Sequence, residues 1–113
     1  MKEIKAIIQP HMLKRVVEAL HELPHFPGVT VTDALGQGRG RGAGGEFVSD
    51  LDNLFFHRKK VLTVLADDAA ATRMVQVIQQ AAHTGNPGDG VIFVSAIASV
   101  VRIRSGEQQE QAL

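Results

Sequence analysis

Two rhythms of apolar and polar residues alternate along this chain. Ile4, Ala6 and Ile8 alternate with Lys5, Ile7 and Gln9, a period of two that predicts a strand, and Pro10, which has no N–H to give a ladder, ends it. Met12, Leu13, Val16, Val17, Leu20 and Leu23 then recur at helical spacing until Pro24 and Pro27 stop the helix before Gly28. Residues 29–35, rich in Val and Thr, predict a second strand, and residues 60–66 a third. Asp67 and Asp68 follow, carboxylates suited to cap a helix start and to its positive dipole end, and the helix over 72–83 puts Met74, Val75, Ile78 and Ala81 on one face. Residues 84–90 read as a turn, residues 91–101 as a long fourth strand, and residues 105–113 as a polar tail without a core-forming pattern.

In letters this is βαβ, loop, βαβ, and the halves match. Ile4 and Ile8 shifted by 57 land on Val61 and Leu65, while Val16, Val17 and Leu20 shifted by 58 land on Met74, Val75 and Ile78. Two such units with right-handed crossovers predict an α+β domain: a ferredoxin-like βαββαβ fold, its antiparallel sheet carrying both helices on one face and a long loop between the second and third strands. The third and fourth strands are apolar at both parities, Leu62 and Val64 against Val61 and Leu65, Ile92 and Val94 against Val91 and Phe93. Both sheet faces then need cover, and one layer of helices covers only one, so self-association is expected.

Composition narrows the function classes. The 113 residues make one domain, 1–113, that buries roughly two-thirds of the surface its unfolded chain exposes. Twelve Lys and Arg balance 12 Asp and Glu, which disfavours a general nucleic-acid or membrane-surface binder and makes any anion site local. The absence of Cys excludes disulfides and thiolate zinc sites and fits a reducing compartment. No run reaches the roughly 18 apolar residues of a spanning helix and no signal peptide is evident, so a cytoplasmic protein without direct membrane insertion is expected.

The 11 glycines are unevenly placed, six of them between Gly36 and Gly45. Glycine lets backbone N–H groups converge on a phosphate, and Arg39 and Arg41 add charge, so this segment is either an anion cradle or a mobile surface loop. Gly40, Gly42 and Gly45 also fit the dinucleotide fingerprint, with Asp67 as ribose acid. Four residues separate that match from the strand, however, and no acid, base or nucleophile pair accompanies it, which speaks against a small dinucleotide-dependent enzyme. Gly88-Asp89-Gly90 forms a turn before the fourth strand, and Arg102 and Arg104 point to one side of an extended segment, as a phosphate contact or as a solvated edge. An RNA-binding module would stack bases on aromatic residues of the central strands, where only Phe93 is available. His21 and His25 have the spacing of two metal ligands on a helix, but Pro24 falls between them.

Six segments, read in order, resemble the PII signal-transduction proteins: Met1-Lys-Glu-Ile-Lys-Ala-Ile-Ile-Gln-Pro10, Gly28-Val-Thr-Val-Thr-Asp33, Gly36-x-Gly-Arg39, Thr84-Gly-x-x-Gly-Asp-Gly90, Ile92-Phe-Val-Ser95 and Arg102-Ile-Arg-Ser-Gly-Glu107. The likeness runs from residue 1 to about 107. It implies a non-catalytic regulator: a homotrimer with ATP or ADP in clefts between subunits, Mg²⁺ as a possible companion, no covalent cofactor, and a flexible loop over about 37–57 that docks on a target protein, a membrane transporter or a metabolic enzyme. By resemblance, Thr30 and Gly36 contact the base, Gly38 and Arg39 lie at the loop base, Gly88, Asp89 and Gly90 surround the phosphates, and Arg102 and Arg104 reach them from the neighbouring subunit. Gly40, Arg41, Gly42, Glu46 and Phe47 fall in the partner-binding loop.

Departures from the family pattern shape the expected effector. Where these proteins place a Gln that helps hold Mg²⁺ and 2-oxoglutarate, this chain has Gly40, and where a phosphate-binding Lys follows Gly-Asp-Gly it has Val91. Arg58 stands for the lysine that pairs with the oxoglutarate carboxylate. With no Tyr in the chain, modification of a loop tyrosine is excluded, and Phe47 stands near that place. The expectation is a divergent adenine-nucleotide-binding regulator whose response to 2-oxoglutarate is doubtful; the alternative is a PII-like sensor of a metal ion or another small molecule, linked to a membrane transporter.

Overall fold

The computed structural model describes residues 1–38, 46–51 and 54–113, with residues 46–51, 54 and 55 as backbone. Its elements are β1 (Lys2–Ile8), α1 (Leu13–His21), β2 (Thr30–Gly36), β3 (Glu46–Leu51), β4 (Leu54–Ala66), α2 (Asp68–Ala82) and β5 (Gly90–Ala96). The sheet runs β2-β4-β1-β5, antiparallel at each of these pairings, and β3 joins β4 as a fifth strand. This is the expected ferredoxin-like order.

Both helices pack on one face. Ile4, Ala6 and Ile8 from β1 and Leu62, Val64 and Ala66 from β4 meet Val16 and Leu20 of α1 and Met74, Val77 and Ile78 of α2 in one buried cluster. These pairs correct the internal match. Ile4, Ala6 and Ile8 correspond by face to Leu62, Val64 and Ala66, an offset of 58 in the strands as in the helices. The offset of 57 lands on Val61 and Leu65, which lie one step along the pleat and therefore on the other face, where they pair with Ile7 and Glu3.

Element ends follow from available partners. The Asp67 carboxylate accepts the Ala70 N–H at 2.7 Å and caps α2, which starts at Asp68 rather than at 72 because Ala69, Ala70 and Ala71 are strong helix formers and Ala71 is buried. The Met1 amino group sits 2.8 Å from Asp68. β5 ends at Ala96 rather than reaching 101, because its neighbour β1 begins there: Lys2 pairs with Ala96, and the Ile97 N–H bonds to Met1 O at 3.0 Å. Within the segment expected to be loop, residues 46–51 pair antiparallel with a β4 that begins at Leu54 instead of 60; β3 takes the edge of β4 left vacant past Ile8–Lys60, the last pair with β1. The tail folds back: Val101 bridges Gln108, a short 3-10 turn spans Gln109–Ala112, and Ala112 is buried. α1 ends at His21, whose ring meets Phe26 edge-on, and His25 has φ 58°, so the two histidines do not share a helical face. No helix among the described residues is long and apolar enough to cross a membrane.

Candidate functional site

The turn between α2 and β5 is organised by its own side chains. The Asp89 carboxylate accepts the N–H groups of Thr84 at 2.8 Å and Gly85 at 2.9 Å and the hydroxyl of Thr84, while the Asn86 N–H donates to that hydroxyl oxygen at 3.2 Å. The Thr84 hydroxyl bond holds the Asp89 carboxyl below the usual carboxylate range, the two backbone N–H groups and nearby His83 act in the same direction, and burial opposes them. Asp89 thus closes the turn in this structure. Gly90 follows with φ 111°, and a Cβ there would lie 1.7 Å from the Ile7 carbonyl oxygen, so only glycine lets β5 approach β1 this closely.

A lysine reaches the turn from β4. Lys59 Nζ donates to the Gly88 carbonyl at 2.8 Å, and its Cγ lies 3.2 Å from where a Cβ on Gly36 would stand. Burial pulls its ammonium below the usual lysine range, with the Asp89 carboxylate opposing the shift. The end of β2, Lys59 and the Gly88-Asp89-Gly90 turn therefore meet at one end of the sheet. Beside them opens a cleft of ≈ 500 Å³ lined by Ile7, Ile8, Val75, His83, Asp89 and Gly90 among others. Sequence reasoning overlooked Lys59, since its contact spans 29 residues and no local motif marks it. A cation two residues from the ladder partner of Gly36, and so on the same face of β4, was the available signal.

The second group lies elsewhere. Thr30, Arg102 and Arg104 line a cleft of ≈ 810 Å³ with Glu3, Gly28 and Thr63. An Nη2 of Arg102 donates to the Leu113 carbonyl at 3.1 Å, and its backbone bonds to Glu107 O and Gly106 N at 2.8 Å each. Glu3 lines this cleft whereas Ile8 lines the other, a separation of about 17 Å along β1. Within one chain, then, Gly36, Gly88, Asp89 and Gly90 come together, Thr30, Arg102 and Arg104 come together, and the two sets stay apart. Gly38 stands in the open beyond β2. Arg39, Gly40, Arg41 and Gly42 lie outside the described residues, and Glu46 and Phe47 are placed by the backbone pairing of β3 opposite Arg58 and His57.

Three features are now in place: a glycine turn closed by an acid, a lysine drawn onto it, and a pair of arginines at a second cleft. Comparison with known proteins adds a fourth. The profile of the family described as "Nitrogen regulatory protein P-II" matches residues 1–107. The chain is 46% identical to the nitrogen regulatory protein P-II of Azospirillum brasilense and 45% identical to that of Rhodospirillum rubrum, each alignment covering 100% of both chains. Against nitrogen regulatory protein P-II 1 of Escherichia coli K12 it is 42% identical, again over the full length of both.

Proposed function

Since the chain belongs to the nitrogen regulatory protein P-II family, whose members are regulators rather than enzymes, we propose that it binds ATP or ADP where subunits meet and passes their occupancy to a partner protein through residues 37–57. The observation that carries the nucleotide reading is the Gly88-Asp89-Gly90 turn, with the Lys59 ammonium drawn onto Gly88. Bare backbone and a nearby cation suit a phosphate group.

A homotrimer is part of the same proposal. Arg102 and Arg104 line the cleft at the Glu3 end of β1, the turn lies at its Ile8 end, and a neighbouring copy is the economical way to bring the two together. The sheet face away from the helices supports association, with Val91 55% and Phe93 48% exposed. In this arrangement Gly36 and Thr30, the latter brought by the neighbouring copy together with its arginines, hold the base, the turn and the arginines hold the phosphates, and Mg²⁺ bound with the nucleotide neutralises phosphate charge. The target is a transporter or metabolic enzyme met in the cytoplasm, where ATP and ADP are available. The relatives' printed name concerns nitrogen regulation, and we propose that broad setting here; Gly40, without a side chain to ligate, argues against 2-oxoglutarate as the second effector.

Calorimetry with ATP, ADP and AMP tests the reading. Arg102→Ala removes a charge-assisted contact and is expected to weaken ATP binding by about 10- to 150-fold, about 1.5–3 kcal/mol. Absence of binding by the unaltered chain, or unchanged affinity in Arg102→Ala, removes the nucleotide part; a monomer in light scattering removes the trimer.

A further inference from the structure

The position that follows Gly90 is Val91, so the start of β5 brings no charge to the turn. Lys60, the other lysine at this height of β4, is engaged by Asp33, and it stands one residue along the pleat from Lys59, on the opposite face. Among the described residues, Lys59 is the only Lys or Arg hydrogen-bonded to the 84–90 turn. Its ammonium has three N–H donors, and one of them is used by the Gly88 carbonyl, a neutral partner. Asp89 is the acid that acts on it, through space, while both its oxygens accept hydrogen bonds from Thr84 and Gly85. The Lys59 stem passes Gly36, where a side chain would press on it, so glycine there leaves the lysine its path to the turn. A half-buried ammonium with donors to spare, hydrogen-bonded among the described residues to a neutral glycine carbonyl, is arranged to receive an anion.

We propose that Lys59 is the phosphate-binding cation at the Gly88-Asp89-Gly90 turn, reaching from β4 to contact the outer phosphates of a nucleoside polyphosphate. The inference rests on the nucleotide reading above for the identity of the ligand, and on the geometry of Lys59 for the place of its phosphates. Lys59 favours ligands with more phosphates over those with fewer, because its ammonium acts on the phosphate chain and not on the base. Its hydrogen bond to Gly88 is the contact it makes in the absence of ligand, and the two remaining donors are those a phosphate oxygen takes up.

The test uses the full chain with Lys59→Met, which keeps the length of the stem without charge, and Lys59→Arg, which keeps the charge. ATP and AMP are titrated by calorimetry, and inorganic tripolyphosphate is assayed by dye-monitored thermal shift. In Lys59→Met, ATP affinity is expected to fall about tenfold or more, AMP affinity to change by less than about threefold, and the tripolyphosphate shift to vanish, with Lys59→Arg restoring most of each. Equal losses for ATP and AMP, or loss in Lys59→Arg as large as in Lys59→Met, would make Lys59 a tie for the turn and overturn the proposal, as would unchanged ATP affinity. Should the unaltered chain ignore both nucleotides yet gain a Lys59-dependent shift from tripolyphosphate, the nucleotide reading fails while the anion site stands. A chain that responds to none of the three ligands overturns both.

Discussion

Along the central strands β1 and β4 the two faces of the sheet carry similar apolar content and different degrees of cover. On the helix face Ile4, Ala6, Ile8, Leu62 and Val64 are all but inaccessible. On the other, Ile7, Val61 and Leu65 are partly covered, and Val91 and Phe93 are about half exposed. The alternation along β4 makes the contrast sharp, since Leu62 at 0% exposure and Val61 are neighbours in sequence. A monomer has no reason to maintain Val61, Leu65, Val91 and Phe93 on a bare face, and burying such side chains is worth roughly 25 cal/mol per Å². The difference teaches that the fold of one chain uses half of its apolar sheet surface, and that the remainder suits a contact between copies.

The largest expected effect separates the faces directly. Leu62→Ala opens a cavity between β4 and the helices, and stability is expected to fall by about 2–5 kcal/mol at any protein concentration. Phe93→Asp, on the bare face, is expected to leave a folded chain whose melting temperature no longer depends on protein concentration and whose mass in light scattering is that of a monomer. Denaturant titration and light scattering of the two variants decide the matter. A Phe93→Asp chain that still associates would break the comparison, because the bare face would then not be the contact.

A smaller effect tests how firmly the covered face is anchored. α2 provides much of the helix layer, and Asp67 accepts its Ala70 N–H at the first turn. Asp67→Ala is expected to cost about 1 kcal/mol, the ordinary worth of a side-chain N-cap, while Asp67→Asn or Asp67→Ser recovers most of it. Urea titration reads the loss. If Asp67→Ala instead destabilised as much as Leu62→Ala, the cap would be governing more than the helix end.

Much of this organisation was legible in the chain. Alternation at Ile4, Ala6 and Ile8 located β1, proline bounded α1, and Asp67 marked the start of α2, because each is a local signal with a local cause. The apolar parities of the third and fourth strands foretold a bare face. The internal match was one residue off in the strands, since a period of two gives no local clue to which parity faces the helices; only the partners across the ladder settle it. The strand at Glu46–Leu51 escaped notice because it depends on an edge of β4 that exists only where β1 has ended. The return of the tail onto Val101 rests on backbone bonds, on side-chain bonds between Arg102 and Leu113 and between Gln109 and Val100, and on one buried alanine, which leave little mark on composition. At the candidate site the glycines were visible as sequence, whereas Lys59 became visible only when the strand and the turn were brought side by side.

The smallest expected effect concerns the segment that joins the two faces. The 84–89 turn links α2, on the covered side, to β5, which bears Val91 and Phe93 on the bare side, and its closure depends on the Asp89 carboxylate. The folded state holds this carboxyl below its ordinary value, so the unfolded chain takes up a proton first as pH falls. The stabilisation is thus fully present above the ordinary aspartate range, centred at about pH 4, and is lost as pH drops through that range toward the lower folded value. Asp33, beside Lys60, and Asp68, beside the Met1 amino group, are lowered as well and add to the slope in the same sense. Asp89→Asn is expected to be less stable than the unaltered chain at pH 7 and to lose stability less steeply on acidification, so that the two curves approach one another near pH 3. Denaturant midpoints measured across pH 3–7 provide the check. Parallel curves would mean that the charge on Asp89 does not hold the turn, and that β5 keeps its place beside β1 through its ladder and Gly90 alone.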